Sequence, residues 1–295
     1  MGEPLTCRLP DGTTVHCLNR TDARLLYQEI FDEDIYRRHG VTVRPGDCVL
    51  DVGANIGLFP LFLRHLGTPA TVHAVEPVPV TFEALRLNVA ACFPVTVHLH
   101  NVGLARQDGE ATFTHYPRLA SNSTMHPDHS PEEVKRRRDD ILQRMHEHPS
   151  RPLRWLLAVL PGPLKRFIAE RVRRWFYRHE PVVCRLTTLS GLLRRERIER
   201  VDLLKLDAER CELDVLAGLD DADWPKVRQA VVEVHDPAAV PGIEEQFRAR
   251  GFRVIVDCNS EVLQTRLLYA VRDAASGELT PRPADSGPSG LGRSG

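Results

Sequence analysis

The sequence has no surplus of charge of either sign. Its 39 Lys and Arg offset 40 Asp and Glu, leaving a net charge of −1. That removes the overall field which holds a nucleic-acid binder on a polyanion. There is no CxxC pair, and the seven cysteines (Cys7, Cys17, Cys48, Cys92, Cys184, Cys211 and Cys258) are scattered and odd in number. Both facts argue against a disulfide framework or a zinc site. The opening MGEPLTCRLPDG lacks the apolar core of a leader, and no apolar run is long enough to span a bilayer. These absences predict a cytoplasmic chain with no nucleic-acid and no membrane partner. The sequons Asn19-Arg20-Thr21 and Asn122-Ser123-Thr124 are read as chance for the same reason. What is present suits one large domain, or one domain with an insertion, at roughly 100–200 residues per domain.

Runs of nearly continuous apolar residues recur at Cys48–Leu50, Thr71–Val75, Val95–Leu99, Val201–Leu206 and Ala230–Val234. Helical patterns at Leu58–Leu66 and Thr81–Ala91 fall between the first three. Apolar strands alternating with helices predict a Rossmann-like, doubly wound α/β sheet covered on both faces. Phe252–Val256 and Leu267–Val271 are expected to close it as a pair. Residues 1–46 read as a cap segment, with a strand-like start and then Leu25, Leu26, Glu29, Ile30 and Ile35 near a 3.6-residue period. From about 121 to 185 no strand signal appears, and two helical patterns, 131–148 and 153–177, predict a helical insertion between the third and fourth core strands. The main domain is then 47–275. The Pro/Gly/Ser-rich stretch 276–295 is expected to be disordered.

The most informative stretch is VLDVGANIGLFPLF, Val49 to Phe62. A strand ends in Asp51. A turn over Gly53, Ala54, Asn55 and Gly57 then leads into a helix, and such glycines permit tight geometry and close approach of a ligand. The spacing is not the GxGxxG of a pyrophosphate cradle. The next strand ends in Glu76, where an acid can accept both hydroxyls of a ribose. An acid before a glycine turn, with a second acid closing the next strand, fits S-adenosylmethionine.

DVGANIG, AVEPVPVTFEALRLNV, VDLLKLDAERCELDVLAGL and VVEVHD, in that order, resemble the FkbM family of S-adenosylmethionine-dependent methyltransferases. YQEIFDEDIYRRHGVTVRPGDCV resembles the longer members found with polyketide and nonribosomal-peptide pathways. The resemblance spans roughly residues 10–272 and implies a class I methyltransferase sheet. It implies that Asp51, Gly53, Asn55, Gly57 and Glu76 hold the cofactor, with Asn101 and Asp207 lining the pocket. The sequence departs from the family at Asp207-Ala208-Glu209-Arg210, where Arg210 stands in place of the usual glycine. If that position has a positive φ, the arginine strains the turn; it could also bring a cation near the substrate.

Methyl transfer to an alcohol needs alignment and a proton acceptor near the C-terminal edge of the sheet. His235, Asp207 and Glu233 qualify as catalytic candidates, with Glu209 one turn further out. His235 is the preferred base because its ordinary pKa lies close to neutrality. Asp207, Glu209, Glu233, His235 and Asp236 are enough ligands for a divalent ion, but their spacing carries no metal signature and none is assigned. In the insertion, Leu164, Phe167, Ile168, Val172, Trp175 and Phe176 form one stripe of a helix, with Lys165, Arg166, Arg171, Arg173, Arg174 and Arg178 beside it. That is either a packed helix with a solvated basic face or a lid whose rim meets an anionic partner. The function expected is O-methylation of a small-molecule acceptor, free or carrier-protein-bound. The alternatives are a nicotinamide-dependent oxidoreductase, disfavoured by the missing GxGxxG, and a methyltransferase-like binding scaffold, disfavoured by the intact Asp51 and Glu76.

Overall fold

The computed structural model describes residues 4–146, 159–258 and 265–272. The tail expected at 276–295 and the start of the second insertion helix (153–158) lie outside the described residues. In chain order, the hairpin β1 (Leu5–Arg8) and β2 (Thr14–Cys17) leads into helix α1 (Arg20–Tyr27). Asn19 caps that helix, its side-chain oxygen accepting from the amides of Thr21 and Asp22. A short π-helical segment, Gln28–Asp32, carries the chain on toward Tyr36.

Then come β3 (Asp47–Val52), α2 (Leu58–His65), β4 (Ala70–Val75), α3 (Pro79–Val89) and β5 (Thr96–His100). β6 (Gly103–Leu104) and β7 (Gly109–His115) follow, and then the helices α4 (Pro131–His146) and α5 (Gly162–Phe176). β8 (Glu180–Thr187), α6 (Leu189–Arg195), β9 (Leu203–Leu206), α7 (Glu212–Ala217) and β10 (Gln229–Val234) bring the chain back to the sheet. The helix α8 (Val240–Arg248) and strands β11 (Phe252–Cys258) and β12 (Arg266–Arg272) finish it.

Seven strands form one sheet in the order β11-β12-β10-β9-β3-β4-β5. The five strands from β5 to β10 run parallel, while β12 is antiparallel to both β10 and β11. This is the Rossmann-like class I methyltransferase arrangement. One face packs the cap, α2 and α3 around Val49, Val72, Phe59 and Leu85. The other packs α6, α7 and α8 around Leu204, Leu206, Val232 and Phe247. Burial on both faces explains the continuous apolar strands. The order reverses beside β3: the chain steps outward to β4 and β5, then returns on the other side at β9. A crevice opens at such a switch point, beyond the carboxyl ends of the strands.

One sequence expectation fails. The stretch read as strandless contains most of β8, which pairs antiparallel with β7 and parallel with β6 in a separate three-stranded sheet. The strand EPVVCRLT buries Cys184 and Thr187 but leaves Val183 64% exposed, so its apolar residues do not alternate as a half-buried strand should. The insertion is therefore helical over Pro131–His146 and Gly162–Phe176 and β-structured where it rejoins the core. The six cysteines whose side chains are described are free, and five of them are buried.

Candidate active site

The glycine turn is compressed against the neighbouring strand. Gly53, Asn55 and Gly57 take left-handed φ values of +76°, +49° and +83°. A Cβ on Gly53 would lie 1.7 Å from the carbonyl oxygen of Asp207, so only glycine fits there. The Gly53 and Ala54 amides both donate to the Val75 carbonyl, at 3.0 and 2.9 Å, which ties the turn to the end of β4.

Asp51 is wholly buried beneath this turn, with the Lys205 ammonium 3.0 Å from its Oδ1. Apart from that ion pair, neither carboxylate oxygen has a hydrogen-bond partner among the described residues, and the buried Oδ1 of Asn55 has none either. Burial raises the pKa of Asp51 while Lys205 opposes the rise. For Lys205, burial works against the charge, but Asp51 and Asp207 outweigh it and hold its pKa above the ordinary value.

Glu76 is buried at the end of β4. One of its oxygens accepts from the Asn55 amide at 3.1 Å and the other from the Val78 amide at 2.9 Å. Burial pushes its pKa up to about 7 against those two donors. Each oxygen keeps a further lone pair for a hydroxyl. Asn101 sits at the end of β5, where its side-chain amide donates to the Glu76 and Pro77 carbonyls at 2.9 and 3.0 Å. It thereby fixes the backbone that carries Glu76. A narrow cleft opens over the turn, walled by Gly53, Ala54, Asn55, Lys205, Asp207 and, from the cap, Tyr36.

The ends of β9 and β10 bring the predicted catalytic residues together. The Nδ1 of His235 lies 2.7 Å from the buried Glu212, leaving Nε2 3.4 Å from Glu209 and 3.9 Å from Asp207. Burial disfavours the imidazolium, but Glu209 and Glu212 overcome it and hold its pKa well above 6.5. Burial pushes Glu209 to about 8, with His235 opposing, and Glu233 to about 7, with Asp207 adding to the rise. Glu29, from the cap, is pushed to about 8 by burial and then by Glu233 and Asp207. Tyr36 donates its hydroxyl toward Glu233 at 3.2 Å and Asp207 at 3.4 Å. The result is a largely buried cluster of acids, a phenol and an imidazole within interaction range of one another. One ligand atom each from Asp207, Glu209 and His235 also come within 4.8 Å of one another. The roles given below are assigned without a metal.

Glu209 and Arg210 have φ values of +37° and +69°, so the turn with the unusual arginine is left-handed. The Arg210 guanidinium leaves the pocket and pairs with Asp128 at 3.1 Å, at the entry to the insertion. Thr124 donates its hydroxyl to the Glu209 carbonyl at 2.5 Å, so the same entry segment braces this turn twice.

Lys205, Tyr36, Glu29 and Glu212 were not singled out as site residues from sequence. Lys205 left a trace, being a lone lysine inside the apolar run VDLLKL, where a buried cation demands an anionic partner. The other three left none, since their roles depend on contacts between segments far apart in the chain.

The family model described as Methyltransferase FkbM domain matches residues 51–254. The 31-O-demethyl-FK506 methyltransferase FkbM of Streptomyces tacrolimicus is 38% identical over 257 residues, covering 85% of this chain and 90% of that protein. The AMB antimetabolite synthetase AmbE of Pseudomonas aeruginosa is 36% identical over 284 residues, 93% of this chain but only 13% of that protein. Methyltransferase sdnD of Sordaria araneosa is 30% identical over 249 residues, covering 84% of this chain and 88% of its own.

Proposed function

The chain belongs to the FkbM family of methyltransferases, and from that premise we propose that it methylates a hydroxyl of a specialised metabolite or biosynthetic intermediate, using S-adenosylmethionine. The observation that carries this reading is the contact between the two halves of the site. Gly53 lies against the Asp207 carbonyl, and Asp207, which lines the cleft over the donor turn, also faces Tyr36 and His235 in the acid–imidazole cluster. The chain's own residues fit the cofactor. The unpartnered Asn55 Oδ1 and the Asp51 oxygens, paired only with Lys205, are acceptors for polar groups above the turn. Glu76 is placed for the ribose diol, and the Gly53 cradle admits close approach. When bound, the cofactor supplies an electrophilic methyl group, and the protein supplies alignment and proton removal.

In this reading Asp207 and Glu233 orient the acceptor hydroxyl and His235 takes its proton, with Glu212 fixing the ring so that Nε2 is turned toward Glu209 and Asp207. Two relatives support the acceptor class by their names: one is a 31-O-demethyl-FK506 methyltransferase, the other an antimetabolite synthetase. The exposed Phe167 and Trp175, with Arg171 and Arg174, place an apolar and basic surface on α5 that suits an acidic carrier. Among the described residues, no helix is long and apolar enough to cross a membrane.

The test is transfer from S-adenosylmethionine labelled with ¹³C in its methyl group to candidate hydroxyl acceptors, free and carrier-bound, read by NMR of the product. A new ¹³C methyl ether is the expected result. Methylation at nitrogen or carbon alone would remove the hydroxyl assignment and leave the family membership intact.

A further inference from the structure

Tyr36 reaches the site from outside the sheet. It lies in the cap, after the π-helical turn, and is 3% exposed. Its ring stands on Phe59 edge to face, with centroids 5.6 Å apart, and the Lys205 ammonium lies 4.9 Å from its centroid. These contacts leave the phenol one direction to point. Its hydroxyl sits between Glu233 and Asp207, acids from two different strands. A phenol has one proton to donate, so it holds one carboxylate at a time and bridges the pair.

We infer that Tyr36 is a positioning residue for the acceptor side: its hydroxyl fixes the carboxylate of Glu233 and sets how readily that group gives up its proton. The inference rests on the hydroxyl-methylation reading for its consequence in turnover, though not for its structural part. The groups around Glu233 are named easily. Asp207, Glu29 and Glu209 repel its negative charge, while Lys205 and His235 attract it. Tyr36 is the neutral donor among them, and hydrogen bonding to the charged form favours that form. Removing the hydroxyl therefore makes Glu233 hold its proton to higher pH. A group that must be ionised to orient or accept from a hydroxyl is then ionised less often at neutrality. The cap thus belongs to the machinery, although no motif of the sheet includes it.

The experiment is Tyr36→Phe, which keeps the ring contacts with Phe59 and Lys205 and removes one oxygen. Two readouts are taken. The first needs no turnover: NMR titration of the protein labelled at the Glu carboxyl carbons, with the Glu233 signal assigned by its loss in Glu233→Gln. The Glu233 midpoint is expected to move to higher pH in Tyr36→Phe, and an unmoved midpoint overturns the inference. The second is the pH profile of kcat. Its rising limb is expected to shift to higher pH, with kcat at neutrality lower by about tenfold or more, as for loss of a hydrogen bond to a charged group. S-adenosylmethionine affinity should stay within about threefold. An unchanged kcat profile with a moved Glu233 midpoint overturns the positioning role. A moved midpoint in a protein that methylates no hydroxyl overturns the proposed function instead and leaves the Tyr36 contact standing.

Discussion

The donor half of the crevice and the acceptor half are built in opposite ways. On the donor side, Asp51, the glycine turn and Glu76 all lie within one strand–helix–strand unit, and their partners are mostly backbone amides and carbonyls. On the acceptor side, Tyr36, Asp207, Glu209, Glu212, Glu233 and His235 arrive from the cap, β9, its following turn and helix, and β10. Their partners are one another's side chains. A half made from local backbone geometry tolerates little change in shape, while a half made from coupled charges tolerates shape but not charge. The two should therefore break differently.

The largest effect is expected at the seam between them. Gly53→Ala places a methyl group against the Asp207 carbonyl in a left-handed conformation. Strain and overpacking together should cost about 2–5 kcal/mol, and cofactor binding and turnover should both be lost. Urea unfolding and calorimetry read the two effects separately. A variant that kept wild-type affinity would show that the turn is not seated as described.

On the acceptor side, His235→Ala should lower kcat by about 10²–10⁴, as for removal of a general base, while leaving S-adenosylmethionine affinity within a few-fold. The pH profile carries the sign. Because Glu209 and Glu212 hold the His235 pKa well above 6.5, the base form appears only as pH rises through that raised value, so kcat should climb on the alkaline side of neutrality. Since His235 lies 3.4 Å from Glu209 and both feel the charge of Glu233, the limb belongs to these three interacting groups and not to one residue. Turnover should persist in chelator. Loss of activity with rescue by Mg²⁺ would turn Asp207, Glu209 and His235 into ligands and end the general-base assignment.

Glu76→Ala tests the donor side more gently, because the turn loses the bond from its Asn55 amide but keeps those from Gly53 and Ala54 to Val75. Two charge-assisted bonds to a ribose diol are worth roughly 1.5–3 kcal/mol each, so affinity should fall at least about tenfold with kcat at saturation little changed. Unchanged affinity in calorimetry would remove Glu76 from the cofactor site.

The same contrast explains what could be read from sequence. Asp51, Gly53, Gly57 and Glu76 are legible because a turn at a strand end is a local event with a fixed spacing. The parallel strands are legible because burial on both faces leaves runs of consecutive apolar residues, such as Cys48–Leu50 and Ala230–Val232. Asp207, Glu233 and His235 could be placed at strand ends but not in relation to one another. Lys205 stands out as a cation inside an apolar run, but the sequence does not say which acid it meets. Tyr36 and Glu212 were invisible, since nothing in their neighbourhoods says which strand they will meet. The strand β8 was missed because its exposed Val183 breaks the alternation that marks a half-buried strand.

The smallest effect, and the sharpest test of the shape-against-charge contrast, lies at Arg210. It holds a φ of +69°, where a non-glycine residue costs roughly 1–2 kcal/mol. Arg210→Gly removes that cost, adds back roughly 0.5–1 kcal/mol of unfolded-chain entropy and loses a half-exposed ion pair with Asp128 worth about 0.2–1 kcal/mol. The three contributions nearly cancel, so its stability should stay within about 1 kcal/mol of wild type. Arg210→Ala loses the same ion pair but keeps most of the backbone cost. The glycine variant should therefore be more stable than the alanine variant by about 0.5–1 kcal/mol, the ordinary benefit of glycine at a left-handed position, measured by urea titration. Both variants should bind S-adenosylmethionine as wild type does, because the guanidinium points to the insertion and away from the cleft. Equal stabilities for the two variants would mean that the turn relaxes without its glycine. Weakened cofactor binding in both would mean that Asp128, Arg210 and Glu209 hold the donor side as well as the acceptor side.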